Sequence, residues 1–347
     1  MGVKIRSKAE GMRARGITKI GIDQDVIDMY QTGLSQKQIA KHFNLKTGDS
    51  VGAILDKHNI NEGNKGLRNA SWKGGITPLN NEVRSSAQYI AFRDAKFKVS
   101  NYHSEISDLK PVNVNLHHIV EFNFIMKNFV NKDNWQKSKE LWNDNNVIVL
   151  SEDEHRAIHQ NQKINIDFKR FIVKHVDRQS CALLLKQYHY LGTLPKNTKH
   201  IYGLFINNSL VGCCVFGQGA NRHLSSGVGG KALELTRLCM VDWLPKNTGT
   251  YFLSKVIKQL RKQEQDLRYL VSFADPNNGH IGTIYKAANW KYTGQCKVDY
   301  SYKLIDGSIV HKSKFRCKNG FSEKQLASNA GAQKIAIKGK HRYIYQM

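Results

Sequence analysis

A chain of 347 residues, 40% hydrophobic and 10% aromatic, is long and apolar enough to bury two modest cores, which excludes a disordered polymer. With 53 Lys and Arg against 28 Asp and Glu it carries a net charge of +25, a field that attracts polyanions and releases their condensed counterions. The basic residues run along the whole chain, so both halves are expected to face a nucleic acid such as double-stranded DNA; a ribosomal-type or merely soluble basic protein is the plain alternative.

The opening MGVKIRSKAEGMRARG holds no apolar stretch able to act as a secretory signal, so a cytoplasmic setting is expected. Residues 20–60 read as three short helices. Val26, Ile27, Met29 and Tyr30 line the first, Gly33 breaks it, and Ser35 with Gln38 is a capping-box signature for the second. Ile39, Ala40 and Phe43 give the second an apolar face; Val51, Ile54 and Leu55 do so for the third. The arrangement resembles a helix-turn-helix, with Lys37, Lys41 and His42 toward phosphates, although three helices packed without DNA contact would read alike. Residues 61–75, NEGNKGLRNASWKGG, form a Gly- and Asn-rich connector, and 76–165 a basic domain.

That domain holds Leu116-His117-His118-Ile119, then Asn145-Asn146 before an apolar run, then His155-Arg156-Ala157-Ile158-His159. His155 and His159 are four apart, so on a helix both rings leave one face, a spacing that suits a single metal ion. A His pair at a strand end can give one ring to the metal and keep the other as a base; phosphodiester hydrolysis needs both. Each motif alone also reads as a solvated surface. In this order they resemble the HNH endonuclease family, whose ββα-metal fold sets the His pair on its first strand. The lead-in Asn69-Ala70-Ser71-Trp72-Lys73-Gly74-Gly75-Ile76-Thr77 is similar to that of phage HNH proteins. The resemblance, over about residues 69–160, implies a divalent ion (Mg²⁺, Mn²⁺ or Zn²⁺) on His117, His155 and His159, with His118 as general base. It implies that Asn146 fixes the loop that orients His118. Val99, Tyr102, Ser151 and Glu154 stand where many relatives carry structural cysteines, so apolar packing is expected in place of a structural zinc. Phe122, Phe124, Ile125, Trp135 and Trp142 suggest helical packing between His118 and Asn146.

From Phe168 the pattern alternates strands and helices. A strand over Phe168–Val176 precedes a helix over about Asp177–Tyr190. A hairpin follows, Ile201–Ile206 and Leu210–Phe216, turning on Asn207-Asn208. Its apolar run is far too short to cross a bilayer, and no membrane partner is expected. The six cysteines include the adjacent Cys213 and Cys214 and no Cys-x-x-Cys pair, which fits reduced, mostly buried thiols. A strand over Leu233–Val241, a loop Pro245–Thr250 and a helix over Tyr251–Gln263 come next. Then come a strand over Tyr269–Ala274 and a helix around Ile281–Asn289. A strand, a short Gly-containing loop and a helix start make an anion site from free N–H groups and the helix dipole, here at Thr248, Gly249 and Thr250. One such loop alone often binds nothing.

Its place after the fourth strand resembles the GNAT acyltransferase fold at its CoA pyrophosphate site, though the loop departs from the usual Gln/Arg-x-x-Gly-x-Gly/Ala. Tyr285-Lys286-Ala287-Ala288-Asn289-Trp290 is similar to the GNAT helix pattern Tyr-x-x-x-Gly-Phe. That likeness implies acetyl-CoA or a related acyl-CoA as donor and Tyr285 as proton donor to the leaving thiolate; a core tyrosine is the plain alternative. More specifically, several blocks resemble the Mom family of phage DNA-modification proteins. They are Glu234-Leu235-Thr236-Arg237-Leu238, Ser272-Phe273-Ala274-Asp275, Gly279-His280-Ile281-Gly282-Thr283-Ile284-Tyr285, Asn289–Gly294 and Lys340-His341-Arg342-Tyr343. The resemblance spans about residues 175–346 and implies modification of the exocyclic amine of adenine, against restriction, in a bacterial cytoplasm. It implies roles for His189, Tyr190, Arg237, Asp275 and Tyr285. Asp275 could take a proton from the amine. Arg237 in an apolar strand needs an anionic partner, which Asp275 could be in a purely structural pair. Adenine in a duplex must first be flipped out.

The expected fold class is α+β: a small N-terminal helix-turn-helix, a ββα-metal HNH nuclease domain, and a GNAT-like mixed α/β domain over 168–347. The leading reading is a nuclease fused to a base-modifying enzyme. A modifying enzyme whose HNH half only binds DNA, and an acetyltransferase of proteins or small molecules, are the alternatives.

Overall fold

The computed structural model describes residues 22–61, 78–107, 110–218, 223–316 and 320–347. Most of the connector and its Trp72 lie outside the described residues, as does all of the Asn69–Thr77 lead-in. The chain forms two compact units, Met1–Arg84 and Ser85–Met347.

In the first unit α1 (Asp23–Gln31), α2 (Gln36–His42) and α3 (Asp49–Lys57) enclose Val26, Ile27, Tyr30, Ile39, Ala40, Val51, Ile54 and Leu55. Ser35 caps α2 by accepting from Gln38 N–H while the Gln38 side chain returns to the cap. Lys57 pairs with Asp23 at 3.0 Å and ties α3 to α1. Lys37, Lys41 and His42 are exposed. A fourth helix, α4 (Leu79–Ser85), follows at the end of this unit.

The second unit opens with α5 (Ala87–Val99), then β1 (Val114–His118), α6 (Phe122–Phe129), β2 (Val147–Ser151) and α7 (Glu152–His159). β1 and β2 pair antiparallel, with His117 opposite Ile148 and His118 opposite Val147. Ser151 and Glu154 form a capping box on α7. Glu154 also accepts from Ser104 Oγ at 2.5 Å, and Ser104 Oγ accepts from the N–H groups of Ile106 and Ser107. Val99 is 84% exposed and takes no part in the packing, while Ile106, Val149, Leu150 and Ile158 are buried and a polar lattice fastens the segment beside them. Hydroxyls and a carboxylate can satisfy one another where thiolates would need a cation.

The rest of the unit runs β3 (Phe171–His175), α8 (Arg178–Tyr188), β4 (Thr198–Ile206), β5 (Ser209–Gly217), α9 (Leu224–Val228), β6 (Ala232–Met240), α10 (Thr248–Gln263), β7 (Tyr269–Ala274), α11 (Thr283–Ala287) and β8 (Lys291–Gln295). β9 (Asp299–Lys303), β10 (Ile309–His311), α12 (Glu323–Asn329), β11 (Gln333–Ile337) and β12 (His341–Gln346) complete it. The first strand is shorter than its apolar run, because Asp167 caps a 3-10 turn over Phe168–Arg170. α11 starts late because Gly282 sits at φ +77°, a left-handed conformation that cannot continue a helix.

Seven strands form one sheet in the order β3-β4-β5-β6-β7-β12-β8, antiparallel throughout except for β6 beside β7. Every residue of β5 is buried, as a central strand covered on both faces requires. β9, β10 and β11 make a small sheet between β8 and β12 in sequence, with its own core of Tyr302, Phe315 and Ala327. The fold is mixed α+β. The described cysteines are unbridged, and Cys181, Cys213, Cys214 and Cys239 are buried. No described helix is long and apolar enough to cross a membrane.

The ββα segment packs on this sheet. Ser209 Oγ at the start of β5 donates to Val147 O at 2.6 Å, Asn207 reaches Glu105, and Ile164 N–H donates to Trp243 O at 2.8 Å.

Candidate functional site

Two sites stand in the second unit. In the first, strand alternation turns His117 toward α7, where His155 and His159 leave one face. The ring centroids of His117 lie 5.4 Å and 5.5 Å from those of His155 and His159, and those two are 4.5 Å apart. One nitrogen from each of the three lies within 4.8 Å of the others. Burial, helped by the neighbouring imidazoles, pushes His117 down to about 3, and burial followed by His159 lowers His155. These two rings are therefore neutral near pH 7 and offer lone pairs, which is what a metal ligand needs.

His118 does not join this cluster. As the next residue of the strand it faces the other side, where its ring stacks on Tyr89 at 6.2 Å and meets the edge-on Phe122 at 5.3 Å. It is 7% exposed. Asn146, also buried, clasps the segment after His118: its amide donates to Val120 O at 3.0 Å and its carbonyl accepts from Val120 N–H at 2.7 Å. Asn146 O also accepts from Ile119 N–H at 2.8 Å.

The second site arises where β6 and β7 part. Their parallel pairing ends at Leu235 opposite Ser272, where Ser272 Oγ donates to Leu235 O at 3.1 Å. Beyond that point β6 stays paired with β5 and β7 with β12, so the two strands diverge. A cavity of about 300 Å³ fills the fork and brings together His189, Tyr190, Arg237, Asp275 and Tyr285. Arg237 is held by Nε to Thr193 O at 2.9 Å and by Nη1 to Thr236 O at 2.7 Å. It makes no ion pair with Asp275, whose carboxylate instead accepts from Asn277 N–H, the Asn277 amide and the Asn278 amide. The short loop after β7 thus sets two donors on Oδ1 and one on Oδ2, which leaves a lone pair on Oδ2, and Arg237 Nη2 has no hydrogen-bond partner among the described residues.

His189 Nδ1 accepts from Leu191 N–H at 3.1 Å, which places the proton of the neutral ring on Nε2. Burial, Arg237 and His280 push this imidazole down to about 4. Its ring stacks on Tyr190 at 4.7 Å. Tyr285 packs against Trp290 and Tyr343, and burial pushes its hydroxyl up to about 12.

Sequence reasoning missed His280, whose ring lies 5.2 Å from Tyr190, and the backbone turn at Gly282. A Cβ at Gly282 would come within 2.2 Å of the Tyr343 ring, and Tyr343 OH donates to Ile281 O at 2.7 Å. The signal was present in the Gly279–Tyr285 block. Thr248 and Gly249 do not line the fork. A Cβ on Gly249 would meet Ile284 at 2.5 Å and Met240 at 2.9 Å, so this glycine lets α10 approach α11. Met240 itself lines the fork, and Thr250 lines a neighbouring cavity with Lys258, Arg261 and Asn289. No side chain caps α10.

Residues 170–347 match the Mom protein family. The methylcarbamoylase mom of Escherichia phage Mu is 24% identical over 178 residues, covering 49% of this chain and 73% of that protein. Solved acetyltransferases are more distant. One from Bacillus subtilis in complex with CoA is 12% identical, covers 51% of this chain and 98% of that one, and superposes with a TM-score of 0.31. A GNAT family acetyltransferase from Elizabethkingia anophelis with acetyl-CoA bound is 13% identical, covers 51% and 99%, and gives 0.30. At those scores the likeness carries no argument about chemistry. The family match takes in more than half of the residues, and the chain belongs to the Mom protein family.

Proposed function

We propose that the fork between β6 and β7 transfers an acyl-type group to the exocyclic amine of adenine in DNA, and that the three-histidine cluster serves a metal-dependent phosphodiesterase in the same chain. The observation that carries the reading is the convergence of His189, Tyr190, Arg237, Asp275 and Tyr285 in one cavity at a fork of parallel strands. Family membership and the net charge of +25 support DNA as the substrate.

The fork fits a GNAT-like acyl-CoA site: a slot between diverging strands, with an uncapped helix start behind Met240. A bound acyl-CoA would supply an acyl carbon activated by a thiol leaving group. Tyr285, with its hydroxyl held protonated, delivers a proton at Oη to the departing sulfur. Asp275 at the rim accepts the proton that the amine loses. His189 presents Nε2–H as a hydrogen-bond donor and is unsuited to act as base, because Nδ1 is occupied. Arg237 turns Nη2 toward an anionic group of the DNA or the donor. Tyr190, 45% exposed and flanked by His189 and His280, stacks on a flipped base.

In the ββα segment His117, His155 and His159 would hold the ion, which supplies positive charge against the scissile phosphate. Three imidazoles without a carboxylate suit Mn²⁺ or Zn²⁺ better than Mg²⁺. His118 takes a proton from water only if Tyr89 and Phe122 yield on DNA binding. Their cover favours a second reading, in which this half grips DNA without cutting it.

Purified full chain incubated with plasmid and radiolabelled acetyl-CoA is expected to place label in the DNA, with Tyr285→Phe lowering the rate roughly 10²- to 10⁴-fold. Labelled protein with unlabelled DNA would return an ordinary acetyltransferase to favour. Mn²⁺ is expected to support nicking that EDTA abolishes; DNA binding without nicking leaves the second reading standing.

A further inference from the structure

The segment Ile119-Val120-Glu121, which leaves the His117–His118 strand, is held from both sides. On one side Asn146 clasps Val120. On the other, two side chains of α8 reach across from the Mom-family region: Tyr188 OH donates to Ile119 O at 2.6 Å, and Gln187 Oε1 accepts from Glu121 N–H at 2.9 Å. Burial, and then Glu121 and Asp242, raise the Tyr188 hydroxyl, so it stays a donor across the physiological range. The next residues along the chain, His189 and Tyr190, line the fork cavity. One helix end therefore touches the backbone beside His118 and the wall of the modification site.

We propose that Tyr188 and Gln187 are positioning residues for the phosphodiesterase, so that the nuclease site is completed by the modification domain and is not a separable module. The proposal rests on the nuclease reading given above and adds to it a structural dependence across the chain. Tyr188 fixes the carbonyl one residue after His118, and Gln187 the amide three residues after it. Without them Asn146 still grips Ile119 and Val120 and His118 stays opposite Val147, but the Ile119 carbonyl and the Glu121 amide lose their partners, and the chain directly after His118 can shift and tilt its ring. The ligand trio is spared, because His117 turns to the opposite face of β1, against His155 and His159 of α7, and is one residue further from the released carbonyl.

The test uses the full chain with Tyr188→Phe and, separately, Gln187→Ala. Nicking of supercoiled plasmid in Mn²⁺ is expected to lose kcat by roughly ten- to a hundredfold, as an ångström-scale misplacement of a reacting group costs, with KM for DNA unchanged. The ring signal of His118 in ¹³C-histidine-labelled protein, assigned through His118→Asn, is expected to move while those of His155 and His159 stay. Transfer of label to DNA is expected to persist. Unchanged kcat with an unmoved His118 signal would overturn the proposal. So would loss of nicking together with transfer and a collapsed melting transition, which marks general unfolding. If the unaltered chain does not nick, the nuclease reading fails, and the His118 signal still decides whether Tyr188 and Gln187 position the ring.

Discussion

Asn146 shows how much one side chain can carry. Its amide meets both backbone groups of Val120 inside the protein. Asn146→Ala leaves an N–H and a C=O unmet, and is expected to cost about 1–3 kcal/mol for each buried group; urea unfolding of the full chain measures it. Gly282→Ala meets a different obstacle. A left-handed backbone at φ +77° costs a side chain about 1–2 kcal/mol, and here the added carbon also lies 2.2 Å from Tyr343. The variant is expected to melt lower and to lose transfer, since the turn carries Ile281 and Thr283 into the cavity. Several of these residues were legible beforehand. The i, i+4 spacing of His155 and His159 and the alternation of β1 fix which rings can meet. The partner of Arg237 was not legible: whether it pairs with Asp275 depends on Asn277 and Asn278, which claim the carboxylate through a loop whose turn the pattern does not reveal.

At the scale of elements, the strand order follows from alternation and turn chemistry, with Asn207 at φ +50° reversing β4 into β5. Where β6 and β7 part is a matter of pairing, and no residue type announces it. The end of α10 illustrates an element joint that depends on charge. Glu264 receives Lys199 and His200 from β4 and Lys231 from the approach to β6, and the Lys199 hydrogen bond, against the cost of burial, holds its carboxyl down to about 2. A carboxylate whose folded pKa is depressed stabilises the fold above its ordinary range near 4.5 and loses that contribution as pH falls toward 2. Glu264→Gln is therefore expected to lower the melting temperature at pH 7, with the gap to the unaltered chain closing between pH 4.5 and pH 2.

For the molecule as a whole, the change of pattern near residue 165 falls inside one compact unit, Ser85–Met347, which holds the regions on either side of it. Ser209, Tyr188 and Gln187 each satisfy a backbone group across that line. Such contacts are invisible in a sequence, because a polar side chain on a helix or strand end reads as solvated until its partner is placed. Residues 168–347 produced alone are expected to unfold at lower urea than the full chain, with residues 85–347 melting in one transition.

The claim that the fork acts on DNA bases is tested most directly by mass spectrometry of nucleosides from cells producing the full chain. Deoxyadenosine carrying added mass on N6 is expected, falling to background with Arg237→Ala or Tyr285→Phe. Unmodified deoxyadenosine from cells that hold folded, abundant protein would contradict it.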